Sequence, residues 1–337
     1  MTKSVRKETH MTIRITATSG IAALAVIGLA AVTACSSSSS SSSSSSATGA
    51  SAAASASSSA SNPLSGGSAS GSVVVGSANF PENEVLAEVY ALALQAKGVK
   101  VTTKLNVGAR EVYYPQVENG AISIIPEYNG QLLAVEVDKT STAKTTADVD
   151  AALAAKLPST LTVLNSAPAQ DSDSITVTQA TAAKYHLKSI GDLKPVASQF
   201  VLGAPPEFKT RSDGIAGLKS VYGLTFKSFD PLDESGPITL AALNSGKVQA
   251  ADVFTTTPQI VTDKLVPLAD PKFNFAAQNV IPLVNKAALT PTISSTLNAV
   301  SAKLTTSALL GLDVKVITDK EDYTTAAQDW LQSVGLA

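Results

Sequence analysis

Residues 72–105 read SVVVGSANFPENEVLAEVYALALQAKGVKVTTKL, and the order of elements within them decides the fold. Val73-Val74-Val75 is a short apolar strand. Asn79 is followed three residues later by Glu82, the spacing of a capping box with Asn in place of Ser or Thr. Val85, Val89, Leu92 and Ala96 then fall on one helical face, with Leu86 and Ala93 beside them, and Gly98 ends the helix. Residues 99–105 alternate apolar and polar, as a half-buried strand does. Ile122-Ser123-Ile124-Ile125 reads as another strand, stopped by Pro126. A strand–helix–strand order of this kind predicts parallel α/β layers.

The same style continues outward. Phe200-Val201-Leu202, residues 250–254 and residues 265–268 read as strands, and residues 214–222 and 236–245 as helices. The C-terminal part is mainly helical, over residues 290–304, 308–315 and 323–334. Roughly 265 residues of α/β pattern, from Ser72 to Ala337, exceed one ordinary core, so two lobes are expected. Residues 174–178 and 278–284 are extended and β-branched, and are the expected crossings between them.

Toward the N-terminus the character changes. Lys3, Arg6, Lys7 and Arg14 precede an apolar run over residues 21–32. That run is short for a membrane span, which needs about 20 apolar residues, and fits a secretory signal over residues 1–34. Val32-Thr33-Ala34-Cys35 resembles the lipobox of bacterial lipoproteins, which implies cleavage before Cys35 and its acylation. An uncleaved signal anchor is the alternative. Cys35 is the only cysteine, so no intramolecular disulfide is available and the fold rests on its apolar core. Residues 36–46 are all serine, and Ser, Ala and Gly dominate to residue 70. Such a stretch has too little to bury to offset its ordering entropy, so residues 35–71 read as a lipidated cysteine and a tether, or a glycosylated stalk of the same mechanical role.

The formal charge is −2 with 25 Lys and Arg against 27 Asp and Glu; removing residues 1–34 takes away four basic residues and one acidic residue, leaving 21 against 26, or −5. A mildly acidic chain without a basic run is a poor match for nucleic acid. Enzyme chemistry finds little support. Beyond the signal there is one histidine, His186, in a polar helix beside Tyr185, and no Gly-x-Ser-x-Gly or His-Glu-x-x-His pattern. Carboxylate pairs such as Asp233 and Glu234 leave a surface glycosidase as the enzyme alternative. No catalytic residue, metal or cofactor is expected.

Five motifs in order carry a family resemblance. They are Ser77-Ala78-Asn79-Phe80, Gly108-Ala109-Arg110-Glu111-Val112, Ile125-Pro126-Glu127-Tyr128-Asn129-Gly130, Pro206-Glu207-Phe208-Lys209-Thr210-Arg211-Ser212-Asp213-Gly214 and Gln249-Ala250-Ala251-Asp252-Val253-Phe254-Thr255-Thr256. Together they resemble the glycine betaine/carnitine/choline-binding proteins of ABC osmoprotectant importers. The resemblance implies a two-lobed type II periplasmic-binding-protein fold, OpuAC-like, with ligand in the cleft. Lobe 1 is then expected over residues 72–173 and 280–337, and lobe 2 over 174–279. It also implies a cage of aromatic rings for a quaternary ammonium and an Arg for a carboxylate, in keeping with cation–π and bidentate ionic recognition.

On that resemblance Tyr128 takes a cage position, Phe254 stands where the family often has Tyr, and Arg211 matches the carboxylate-binding Arg. Asn79 and Asn129, inside two of the motifs, join the expected ligand-contacting set. Two further aromatic positions of the family are not filled: the corresponding stretches read Gln170-Asp171-Ser172-Asp173 and Gly236-Pro237-Ile238-Thr239-Leu240. Asp171 and Asp173 are candidates for a protonated amine or for hydroxyls instead. Arg110 opens a helix and is read as structural; for Arg211 the alternatives to ligand contact are a solvated surface charge and a pair with nearby Asp213. The expectation is a lipid-anchored, monomeric, extracytoplasmic solute-binding protein serving an ABC permease and ATPase. Its solute would be a small polar compatible solute of betaine type, the alternatives being another small polar ligand or a sensor without transport.

Overall fold

The computed structural model describes residues 72–337. The expected signal, Cys35 and the Ser-rich tether lie outside the described residues. Two five-stranded mixed sheets form the framework. The first contains β1 (Val73–Gly76), β2 (Val101–Lys104), β3 (Ile124–Tyr128), β4 (Leu161–Val163) and β10 (Val280–Asn285), in the order β2-β1-β3-β10-β4. The second contains β5 (Ile175–Thr178), β6 (Val201–Ala204), β7 (Ser228–Pro231), β8 (Ala250–Asp252) and β9 (Leu265–Pro267), in the order β7-β6-β8-β5-β9. Each has three parallel strands followed by an antiparallel one: β10 runs against β3 and β4, and β5 against β8 and β9. The architecture is therefore two α/β lobes, with mixed rather than purely parallel sheets.

The chain passes from the first sheet to the second after β4 and returns before β10. The two crossings run side by side. Gln170 bridges Asn279 in antiparallel fashion, and Asp171 N–H donates to the Gln278 carbonyl at 3.1 Å. The extended segments expected as crossings are for the most part strands inside the sheets; the crossing itself lies just ahead of β5 and β10.

Several local expectations change for physical reasons. The helix Pro81–Gln95 has no Asn79 cap. Phe80 is its N-cap residue without a side-chain cap bond, Pro81 opens it, and Glu82 turns inward to Tyr128 and Thr256. Nor does this helix bury a single face. Tyr90, Ala91 and Leu94 are buried as well as Val85 and Val89, because the helix runs between the first sheet and the helices Pro291–Lys303 and Tyr323–Ser333. An all-round apolar helix is a core helix. Leu92 is only half-buried and Ala96 is exposed.

Pro126 does not stop β3 but sits inside it, opposite Pro282 of β10. The Pro126 carbonyl accepts from Asn83 Nδ2 at 3.0 Å, and the Pro282 carbonyl from Leu164 N–H at 3.0 Å. Both prolines thus point their backbone polar groups away from each other, where a missing N–H breaks no ladder bond. His186 is not within its helix but caps Gln179–Tyr185 in the left-handed conformation, at φ 54°. The helix Thr146–Lys156, whose mixed Ala/Asp/Lys sequence gives little periodic signal, is started by Thr145 accepting from Asp148 N–H.

Candidate functional site

Residues at the ends of parallel strands of both sheets converge on one cleft. Past β1 stands Phe80, past β2 Arg110, and at the end of β3 Tyr128. From the second sheet come Arg211 past β6, Glu234 past β7 and Phe254 past β8. All six line the cleft, together with Gln131, Asp171, Asp173 and Gln278. The carboxyl ends of parallel strands are where α/β sheets leave room for a ligand. The lobes are drawn together here, and the space remaining is about 30 Å³.

The aromatic part has three rings. Phe80 meets Phe254 edge-on with centroids 5.3 Å apart, and Phe80 and Tyr128 lie 6.1 Å apart. Tyr128 OH donates to Glu82, and Thr256 Oγ1 from the other lobe donates to the second oxygen of Glu82 at 2.5 Å. Phe80 was not singled out from the sequence. The available signal was its place at the end of the Ser77-Ala78-Asn79-Phe80 motif.

The ionic part is densely paired. Glu127, with no exposure, accepts from Arg110 Nε at 2.8 Å, Arg110 Nη2 at 3.0 Å, Tyr113 OH at 2.6 Å and Tyr128 N–H at 2.8 Å. Arg110 therefore has a structural partner, as expected, yet it also lines the cleft, which the sequence reading had not assigned to it. Arg211 pairs with Glu111 across the cleft, both contacts at 3.2 Å, and not with Asp213. The turn that carries Arg211 needs Gly214 behind it: a Cβ there would lie 1.9 Å from the Phe208 carbonyl oxygen.

Gln131 joins the two halves. Its Nε2 donates to Asp173 at 2.6 Å and to Asp213 at 2.8 Å, while its backbone N–H is held by Gln278 Oε1 at 3.0 Å. Asp171 accepts from Thr256 N–H at 3.1 Å. Burial pushes the Asp171 carboxyl well up, with Glu82 adding to it, and burial pushes Asp252 well up, with Asp173 adding to it. Asp213 is pushed up to about 6 by burial and then by Asp173. Glu234 is pushed up to about 8 by burial and then by Glu207. Both guanidinium groups are already paired, so the acidic groups are in excess. Gln131 Oε1, Asp213 Oδ1, Asp252 Oδ1 and Glu234 Oε2 are buried acceptors without a hydrogen-bond donor.

Tyr128, Phe254, Arg211, Asp171 and Asp173 are thus brought together, and two expected residues are not. Asn79 is exposed outside the cleft lining. Asn129 is fully buried; its Oδ1 accepts from Gly130 N–H at 2.9 Å and Asn279 N–H at 2.8 Å, and its Nδ2 donates to Asp150 at 2.7 Å. With both ends of its amide engaged, it fixes the crossing rather than facing the cleft.

Two lobes joined by paired crossings, with polar and aromatic groups converging between them, define a solute-capturing protein. The chain belongs to the family of substrate-binding domains of ABC-type glycine betaine transport systems, whose family model matches residues 71–333. It is similar to the glycine betaine-binding protein YehZ of Escherichia coli K12, 27% identical over 79% of this chain and 92% of that protein. It is also similar to the carnitine transport binding protein OpuCC of Listeria monocytogenes, 24% identical over 81% of this chain and 90% of that protein. Among solved structures, that of a glycine betaine/carnitine/choline ABC transporter protein superposes with a TM-score of 0.62 at 23% identity, covering 78% of this chain and 99% of that one. The fold is the type II periplasmic-binding-protein fold. The chain is accordingly an extracytoplasmic substrate-binding component that works with an ABC permease and ATPase, and not an enzyme.

Proposed function

We propose that the cleft captures a small compatible solute with a betaine-like cationic head. The observation that carries this reading is the convergence of Phe80, Tyr128 and Phe254 in a cleft with excess carboxylates. A quaternary ammonium cannot donate hydrogen bonds, so ring faces and nearby negative charge are the physical means of holding it. Phe80 supplies a third ring beside the two matched by the motifs. An anionic end of the solute would take the place of Glu111 on Arg211, which suits a bidentate carboxylate.

Isothermal titration of the full-length chain with glycine betaine, carnitine and choline tests the reading. One desolvated cation–π wall contributes about 2 kcal/mol, so Tyr128→Ala is expected to weaken binding about thirtyfold. Unchanged affinity in that variant would remove the aromatic cage from the account. A second reading, a protonated amine or polyol, is favoured by the unpartnered acceptors on Gln131, Asp213 and Asp252. Loss of binding in an Asp171→Asn/Asp173→Asn double variant, with Arg211→Ala unaffected, selects it.

In the same reading residues 72–173 and 280–337 move as one lobe and 174–279 as the other. The chain acts as a monomer held to the outer face of the membrane by acyl groups on Cys35, with residues 35–71 as tether. Mass spectrometry of the mature N-terminus checks the anchor, the expected result being an acylated Cys35.

A further inference from the structure

A second cavity, of about 670 Å³, adjoins the cleft and shares Phe80, Glu234 and Phe254 with it. Both lobes wall it. Glu82, at the start of the helix Pro81–Gln95, and Asp313, at the end of the helix Thr306–Asp313, come from one; Leu240 and Ala241, on the helix Pro237–Asn244, come from the other.

Asp313 is only 1% exposed, and no N–H of the described residues reaches its carboxyl oxygens; its polar neighbours are the Glu82 carboxyl and the Thr256 hydroxyl, which already donates to Glu82. Glu82 beside it is also buried, and Glu234 presents an unpartnered Oε2. The only basic side chain in the wall is Lys320, and it is exposed. Burial, with Asp313 adding to it, raises Glu82 well above the usual carboxylate range, and burial raises Asp313 to about 8. Burial thus favours the uncharged form of both acids.

Buried acids without a counter-charge destabilise a fold, and apolar residues of similar size would serve packing better. Their partner is to be sought in a ligand. It must bring N–H donors, because the vacant positions are acceptors, and positive charge, because Glu82 and Asp313 face no buried cation. A quaternary ammonium meets only the second requirement. Pro237, Leu240 and Val316 add apolar wall for a short methylene chain.

We infer that this cavity is a second binding compartment for a protonated alkylamine, distinct from the aromatic cleft, with Asp313 as its principal anchor. The inference does not depend on the betaine reading of the cleft.

The test is isothermal titration of the full-length chain near pH 7 with 1,4-diaminobutane and, separately, glycine betaine, each in phosphate and in Tris. An amine that meets protonated acids drives their ionisation, so 1,4-diaminobutane should release protons and give different heats in the two buffers. Asp313→Asn, which keeps shape, should weaken 1,4-diaminobutane about tenfold or more and leave glycine betaine within about twofold. Ala241→Trp, at an exposed position of the opposite wall, fills the cavity without touching the core and should block the amine equally. Failure of 1,4-diaminobutane to bind at about 10 mM overturns the compartment. So do equal heats in both buffers, or binding that survives both variants. Amine binding lost in the variants while glycine betaine never binds supports the compartment and counts against the betaine reading alone.

Discussion

The two halves of the cleft are built alike and held differently. Each lobe presents one residue from the end of each of its three parallel strands. In the lobe of the first sheet these residues are tied down within the lobe: Arg110 to Glu127, Tyr128 to Glu82 through its OH and to Glu127 through its N–H. In the lobe of the second sheet the ties reach across. Arg211 finds Glu111, Asp213 finds Gln131, and Ser212 Oγ donates to the Ala134 carbonyl at 3.2 Å. Glu234 keeps a vacant oxygen. One half is thus held by contacts inside its own lobe and the other by contacts across the cleft. A hinge-closing binding protein gains from this division, because the rigid half sets geometry while the adaptable half reports that the cleft is filled.

Three measurements can break or sharpen the comparison. The largest effect is expected from Glu127→Ala. It leaves Arg110 buried without its partner, and breaking a buried pair this way costs about 3–5 kcal/mol. Denaturant unfolding should show that loss, with the mutated chain also losing ligand affinity. A loss under about 1 kcal/mol would mean that the first half is not preorganised by this pair.

A smaller effect is expected from pH. Asp313 and Glu234 rise from 3.8 and 4.5 to about 8, and Asp213 from 3.8 to about 6, each chiefly through burial. Between these values the native state keeps protons that the unfolded chain has released. Stability is therefore fully present below the unfolded values and falls as pH rises through the folded ones. The melting temperature of the unliganded chain should drop from pH 5 to pH 9, and Asp313→Asn should flatten the slope. A melting temperature that climbs over that range contradicts the burial of these acids.

The smallest effect on stability is expected from Glu111→Gln. Glu111 is 41% exposed in its side chain, so its pairing with Arg211 contributes no more than about 1 kcal/mol. Its consequence should instead be conformational. Small-angle scattering should give a larger radius of gyration for the unliganded variant than for the unliganded parent, with ligand restoring the closed value. Equal radii would show that this pair does not hold the lobes together.

Legibility from sequence followed the range of the forces involved. The strands at Val73–Gly76 and Val201–Ala204 and the C-terminal helices were readable because periodicity and turn residues are local. Pro126 misled because a proline's tolerance depends on which way its carbonyl points, and that is set by β10, far along the chain. Glu82 misled in the same way: three residues after Asn79 it looked like half of a cap, but burial and the Tyr128 hydroxyl drew it inward. Asn129 matched a motif, yet its partners Asp150 and Asn279 turn it from the cleft.

The amino-acid sequence by itself determined the α/β class, the division into two lobes, the family and five of the residues that meet in the cleft. Those features rest on short-range periodicity and on motifs whose residues are adjacent. Only the tertiary structure decided what each charge is paired with. Arg211 and Glu111 are 100 residues apart, and Thr256 and Glu82 are 174 apart. Asp313 acquires its place beside Glu82 only when the C-terminal helices pack against the helix Pro81–Gln95. Electrostatic partnership and desolvation depend on distance in space, and no local pattern of residues encodes that distance.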